Sequence, residues 1–296
     1  MSFTGFLFGK MAGKADAKRD ATLREPENVT AVRDLNYAGN QDVYNTLDVY
    51  FPKDVTGPLP VIVSIHGGGY VYGTKEIYKF YGMFLAQQGF AFVNFNYHLA
   101  PKAKFPTPLR ETNLVMQWMV AHAQEYHMDL EHVFMVGDSA GAQLLSQYAA
   151  IYSNPEYAEL FDFTIPKEIT IRAIALNCGM YDFSAEIEGA MAKMSKGLYR
   201  DYFGKDPEAF GPMMDVLSHI TGAYPPSYIM TASHDFLRAN AEPMYELLKS
   251  KGIDTEWKCY GTEEQEYMAH VCHVNMNLEE AKQINRDECD FFRRHM

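Results

Sequence analysis

Basic residues are in short supply. The chain carries 26 Lys and Arg against 38 Asp and Glu, a formal net charge of −12. That balance argues against a nucleic-acid partner, whose phosphate backbone would be repelled. Cysteine is sparse as well. Cys178, Cys259, Cys272 and Cys289 are widely scattered and form no CxxC pattern. They suit free, mostly buried thiols in a reducing cytoplasm, and no metal site is expected from them. No apolar run reaches membrane-spanning length, so stable membrane insertion is not expected. The stretch MSFTGFLFGKMAGKADAKRD has a short apolar patch followed by basic residues. A secretory signal has the reverse order, so none is read here. Internal repeats and low-complexity tracts are also lacking. What is plentiful is hydrophobic residues, 47% of 296, enough for a sizeable core in one large or two small domains.

Strand-like and helix-like patterns alternate. Apolar runs occur at 47–51, 61–65, 90–97, 133–136, 171–178, 228–232 and 256–260. Helical periodicity covers 77–88, 108–126, 140–152, 239–251 and 278–294. Such alternation predicts a mostly parallel sheet of about eight strands with helices on both faces. Residues 30–37 and 43–51 have no helix between them and predict an antiparallel hairpin at one sheet edge. Two regions stand outside the pattern. Residues 1–28 are polar with scattered aromatics, read as an N-terminal cap segment before a main domain at 29–296. Residues 183–222 are too long for a simple crossover and rich in Met, Tyr and Phe. They are read as a cap insertion over the sheet's C-terminal edge, where open α/β sheets bind ligands; an extra core helix pair is the plain alternative.

The sharpest chemical signal is VFMVGDSAGAQLL, Val133 to Leu145. Ser139 stands where a strand gives way to a helix, with Gly137 and Gly141 two residues to either side. Glycines at both positions are needed where the chain turns so sharply that strand and helix nearly touch. The pattern is the nucleophile elbow, Gly-x-Ser-x-Gly. A glycine-bracketed turn with a capping serine is the plain alternative. The second signal is SIHGGGYVYG, Ser64 to Gly73, after the run 61–65. Its backbone amides can approach a ligand oxygen closely and stabilise developing negative charge. No Gly-Lys-Ser/Thr follows, so it does not read as a phosphate loop. His66 reads as a brace for this loop rather than as a base. The third stretch, NYHLAPKAKFPTPL from Asn96 to Leu109, is a proline-stiffened connection into the next helix.

Together the three stretches resemble the hormone-sensitive-lipase-like family of α/β-hydrolases. The matching residues are His66–Gly69, Tyr97–Pro101 with Phe105-Pro106, and Gly137–Gly141, in the family's order. His98 replaces the usual Arg, Lys102 the usual Glu and Ala142 a frequent second Gly. These positions brace loops, so the departures point to a divergent subgroup with its own substrate. The resemblance implies the α/β-hydrolase fold with a small cap. It also implies an oxyanion hole built from the amides of Gly68, Gly69 and Ala140. Asp138 would hold the elbow or the glycine loop.

A serine nucleophile needs a base and an acid that orients it, in the chain order Ser, Asp/Glu, His. Asp235 follows the strand-like run SYIMTAS, and Asp235-Phe236-Leu237 matches the family's Asp-x-Leu segment. Its plain reading is a helix N-cap, and Asp182 is the alternative acid. The base should lie in YGTEEQEYMAHVCHVNMN, which offers His270 and His273. His270 is favoured, being further up the loop and closer to the family's His-Gly-Phe shape. Asn277 with Glu280 resembles a capping box that places His273 near a helix start. The expectation is a cytoplasmic serine carboxylic-ester hydrolase using Ser139, Asp235 and His270. It would act on a small-molecule short-chain acyl ester, need no cofactor, and leave room for a homodimer. A non-catalytic ligand-binding protein and an amidase or peptidase are the alternatives.

Overall fold

The structure, a computed structural model, describes residues 1–182 and 190–296. Eight strands form one sheet: β1 (Val29–Asn36), β2 (Thr46–Pro52), β3 (Leu59–Ile65), β4 (Ala91–Phe95), β5 (Met128–Asp138), β6 (Ile171–Asn177), β7 (Ser227–Ala232) and β8 (Thr255–Tyr260). Their spatial order is β1-β2-β4-β3-β5-β6-β7-β8. β1 and β2 pair antiparallel at one edge, β2 runs antiparallel to β4, and every other pairing is parallel. The helices are α1 (Phe3–Asp20), α2 (Lys79–Gln87), α3 (Thr107–His122), α4 (Ala140–Ser153), the single turn α5 (Pro155–Ala158), α6 (Ala190–Phe203), α7 (Ala241–Ser250) and α8 (Glu279–Arg293). This is the α/β-hydrolase architecture, with the antiparallel edge hairpin where the sequence predicts it.

Strand alternation sorts the core into two layers. Val61, Val63 and Ile65 of β3 face one side, with Val115 and Met119 of α3, Leu144 and Tyr148 of α4, and Leu248 of α7. Ile62 faces the other side, with Phe92, Phe134, Leu85 of α2 and Phe292 of α8. Both faces are covered, so every residue of β4 is buried and the strand is apolar except for Asn94, whose side chain donates to the Lys75 carbonyl at 2.6 Å. Each fully buried large apolar side chain contributes roughly 1.5–3 kcal/mol.

Two helices lie outside this sandwich, and the sequence reading assigned neither. α1 occupies most of residues 1–28. Ser2 caps it, accepting from the Gly5 amide at 3.0 Å. The Ser2 amide and hydroxyl donate to Asp201 on α6 at 2.7–2.8 Å. A side chain on Gly197 of α6 would collide with Thr4, and one on Gly5 would meet Asp201, so glycine on both helices permits their close approach. Of the expected insertion at 183–222, residues 183–189 lie outside the described residues. The remainder comprises α6 and short 3-10 turns at Pro207–Met214 and Leu217–His219.

The capping box expected at Asn277 and Glu280 does not form. Leu278 is the N-cap of α8 and offers no side-chain cap. Asn277 instead donates to the Arg19 carbonyl at 2.6 Å, one of the end carbonyls that α1 leaves without an intrahelical donor. Glu280 accepts from the Tyr267 hydroxyl at 2.8 Å.

A buried carboxyl ties α8 to the sheet. Glu288 accepts from Tyr81 at 2.9 Å and from the Asn177 side chain at 2.7 Å. Burial pushes its carboxyl up to about 7, against the pull of those two hydrogen bonds. The neutral form is therefore the one the fold prefers. Its contribution is fully present below the unfolded value near 4.5 and is lost as pH rises towards about 7. Between pH 4.5 and 8 this should cost about 3 kcal/mol. Urea unfolding of wild type and Glu288→Gln across that range tests it: the wild type should lose more stability than the variant, and parallel pH curves would contradict the assignment.

Candidate active site

The residues singled out in the sequence gather at the C-terminal ends of β3, β5, β7 and β8. Ser139 sits between β5 and α4 with φ 53° and ψ −117°, a region that costs a non-glycine residue on the order of 1–3 kcal/mol. The flanking glycines explain why the turn can form. A Cβ on Gly137 would lie 2.5 Å from the Gly141 carbonyl, and one on Gly141 would collide with the Ile65 carbonyl. The Ser139 amide donates to the Asn177 carbonyl at 3.0 Å. Asn177 is also held by Glu288, so α8 and β6 brace the elbow from beneath.

His270 lies in the loop after β8. Its Nε2 is 3.0 Å from Ser139 Oγ and its Nδ1 is 2.6 Å from Asp235 Oδ1. Asp235 follows β7 and is buried. It also accepts from the Leu237 amide at 2.9 Å and from Thr231 Oγ1 at 2.8 Å. Burial alone would raise its carboxyl. The hydrogen bonds from His270, Leu237 and Thr231 outweigh that and leave it below the usual carboxylate value. An ionised Asp235 requires the proton of His270 on Nδ1, which leaves the Nε2 lone pair facing the serine hydroxyl. Phe236 packs on the imidazole, its ring centre 4.2 Å away.

The other candidates lie elsewhere. His273 is buried against the edge of the Tyr81 ring, and burial pushes its imidazole down to about 3. Its carbonyl accepts from Asn285 at 2.9 Å. Asp182 lies beyond β6, and the carboxylate that meets His270 is that of Asp235. His234 bonds the Glu263 carbonyl at 3.0 Å.

The glycine loop follows β3. A Cβ on Gly68 would run into the Tyr72 carbonyl, and Gly68 and Gly69 both have positive φ. Among the described residues no acceptor engages the amides of Gly68, Gly69 or Ala140. Ala140 opens α4, where the amide has no intrahelical partner. The loop is held by a relay that ends on Asp138, as the resemblance implies, through Tyr78, which the sequence did not reveal. The Gly67 amide donates to Tyr78 Oη at 3.0 Å, and Tyr78 donates to Asp138 Oδ2 at 2.8 Å. Burial raises the Asp138 carboxyl to about 6. His66 stacks on Tyr97 at 4.1 Å, and its Nδ1 is 2.8 Å from the Gly67 carbonyl. Burial pushes its imidazole down to about 4, which suits a neutral brace. His98 also braces a loop, binding Glu111 through both its amide (2.7 Å) and Nδ1 (2.6 Å).

A cavity of about 310 Å³ opens over Ser139 and His270. Phe8, Met180, Leu198 and Tyr199 line it, and α1 adds Asp16 and Arg19. Arg19 pairs with Asp16 and Asp20 and donates to the Ile77 carbonyl at 2.6 Å. Asp16 accepts from Tyr72 at 2.8 Å. Cys178, Asp235 and His270 bring potential metal-ligating atoms within 4.8 Å of one another. Both nitrogens of the imidazole and both oxygens of the carboxylate are already engaged in the hydrogen bonds above.

An α/β-hydrolase fold with a serine, a histidine and an aspartate joined in this order defines the class of the protein. The family model described as BD-FAE matches residues 47–242, about two thirds of the chain. The chain belongs to that family, among the hormone-sensitive-lipase-like α/β-hydrolases its motifs resemble. Among curated relatives, it is 28% identical to the probable carboxylic ester hydrolase LipM of Mycobacterium tuberculosis, over 78% of this chain and 55% of that protein. It is 24% identical to an acetyl esterase of Salmonella typhi, over 73% of this chain and 67% of that one. The chain thus spans between half and two thirds of these relatives' lengths. Among solved structures, esterase B of Lactobacillus Rhamnosis superposes with a TM-score of 0.89 at 24% identity, over 96% of this chain and 91% of that one. A form of that esterase inhibited by a C4-C4 tributyrin phosphonate gives 0.88 at 24% identity, over 96% and 92%. The hyperthermophilic esterase of Pyrobaculum calidifontis gives 0.78 at 22% identity, over 99% and 91%.

Proposed function

We propose that the protein is a serine carboxylic-ester hydrolase that works through an acyl-enzyme. Ser139 is the nucleophile, His270 the general base and Asp235 the acid that orients it. The observation that carries this reading is the unbroken hydrogen-bonded series from Asp235 Oδ1 through His270 to Ser139 Oγ, at 2.6 and 3.0 Å, on the floor of a cavity. Ser139 Oγ attacks the ester carbonyl as its proton passes to His270 Nε2, and Asp235 stabilises the imidazolium. The amides of Gly68, Gly69 and Ala140 receive the oxyanion. His270 then returns the proton to the leaving alkoxide, and the alcohol departs. Water, deprotonated by His270, hydrolyses the acyl-enzyme. α1 and α6 act as the cap over the site, and three buried free thiols suit a cytoplasmic location. A fluorophosphonate probe should label native protein on Ser139 and leave heat-denatured protein unlabelled; equal labelling of both would defeat the proposal.

The substrate is a short-chain acyl ester. A cavity at the small end of ligand-site volumes supports this, as does the tributyrin phosphonate bound by the Lactobacillus enzyme. Turnover of p-nitrophenyl esters should peak at about two to four acyl carbons and fall steeply by about ten. Comparable rates on long-chain triglyceride emulsions would contradict the size argument.

A further inference from the structure

The outer face of α1 is unusual for a surface that waits only for water. Phe3 is 79% exposed, Phe6 57%, Leu7 40% and Met11 60%. Lys10, Lys14 and Lys18 are exposed on the same helix. At 100° per residue these seven positions fall within roughly 140° of arc. The apolar members lie toward the N-terminal end, at positions 3 to 11, and the lysines run from 10 to 18. The acids of α1 point the other way: Asp16 and Asp20 are held by Arg19 and Tyr72 on the inner side. Among the described residues no carboxylate pairs with the three lysines. On a chain of net charge −12, this face is a local patch of purely positive charge beside exposed aromatic and aliphatic side chains.

We infer that α1 is a docking face for an anionic lipid surface. The charge pattern selects this occupant. The lysines draw the helix to acidic headgroups against the overall negative charge, and the Phe, Leu and Met side chains enter the headgroup boundary. The helix would then lie in the membrane plane without crossing it, its lysines and apolar side chains sharing one face instead of opposing each other as in a two-faced amphipathic helix. No helix among the described residues is long and apolar enough to span a membrane. The other side of α1 lines the cavity through Phe8, Ala12, Asp16 and Arg19. One helix therefore presents one face to lipid and the other to the cavity over Ser139. Docking would bring the cavity mouth to esters dissolved in the surface layer. The inference stands on the exposed face alone, apart from the hydrolase reading.

Co-sedimentation with vesicles tests it. Wild-type protein should sediment with phosphatidylcholine vesicles containing phosphatidylglycerol at low salt. It should remain in the supernatant with phosphatidylcholine alone and should be released by added salt. Replacing Lys10, Lys14 and Lys18 together with Gln should weaken partitioning on the order of 100-fold. Phe3→Ser, Phe6→Ser and Leu7→Ser combined should also abolish it. Near-UV circular dichroism shows whether each variant is folded; the exposed lysine set is the one to rely on if the apolar set unfolds. Failure of the wild type to bind the anionic vesicles overturns the inference, as does unaltered binding by the folded lysine variant. Light scattering supplies the remaining outcome. A wild-type dimer dissociated by the apolar substitutions would assign the face to a second copy of the chain, which also overturns it.

Discussion

Ser139→Ala is expected to fold as the wild type does and to lose ester hydrolysis by on the order of 10⁴- to 10⁶-fold in kcat. The fold should be preserved because alanine keeps the Cβ that Ser139 already carries at φ 53°. The strained turn is thus neither relieved nor worsened. The Ser139 amide still reaches the Asn177 carbonyl, and Gly137 and Gly141 still let β5 and α4 approach. Only Oγ is removed. His270 then has no hydroxyl to deprotonate, and what survives is binding plus oxyanion stabilisation acting on water. The measurement is kcat on p-nitrophenyl butyrate together with a thermal melt. A folded variant that keeps more than about a tenth of wild-type turnover would show that Ser139 is not the nucleophile.

The sheet and its helices were legible because each segment buries a single regular pattern. Runs such as 61–65 and 91–95 are apolar but for Ser64 and Asn94, which suits strands covered on both faces. α4 and α8 show apolar faces at the helical period. The Gly-x-Ser-x-Gly spacing was legible for a more local reason: no other residue fits where the Gly141 position meets the Ile65 carbonyl. α1 was opaque because apolar residues lie on both of its sides. Phe8 points to the cavity while Phe3, Phe6 and Leu7 point outward, so no periodic face stands out. Glycines at 5, 9 and 13 also lower helix propensity. Those same glycines, four residues apart, were the available signal. Gly9 and Gly13 lie against the Tyr72 ring, and a glycine stripe at helical spacing marks a helix packed closely on its neighbour.

Supporting residues were harder to read than the proposed catalytic ones. Asp235 and His270 could be sought because chain order and chemistry restrict where an acid and a base can lie. Tyr78, which links Gly67 to Asp138, carries no comparable pattern. It sits in a 3-10 turn just ahead of α2, and only the fold brings it to the glycine loop. Asn177 is equally plain in sequence, the last residue of an apolar strand. Its carbonyl acts through position alone, so side-chain chemistry could not have flagged it. The failed capping box has the same origin. Asn277 and Glu280 had the right local spacing, and a partner 258 residues away in the chain, the Arg19 carbonyl, took the asparagine instead.

The two histidines of the last loop give the second large expected effect. His270→Ala should reduce kcat by on the order of 10³-fold or more, because Ser139 loses its general base. His273→Ala should leave kcat within a few-fold and act on stability instead. Its ring is 1% exposed and packed edge-on against Tyr81, so truncation opens a cavity costing on the order of 2–4 kcal/mol. The difference follows from proton affinity as well as position. A base must bind a proton during turnover, and burial pushes the His273 imidazole down to about 3. His270 has an ionised carboxylate at 2.6 Å to hold the cation it becomes. Kinetics on both folded variants with one short-chain ester, alongside urea unfolding, separate the two roles. If His273→Ala lost the activity and His270→Ala kept it, the base would be His273, and the hydrogen bond from Asp235 through His270 to Ser139 would have no part in the chemistry.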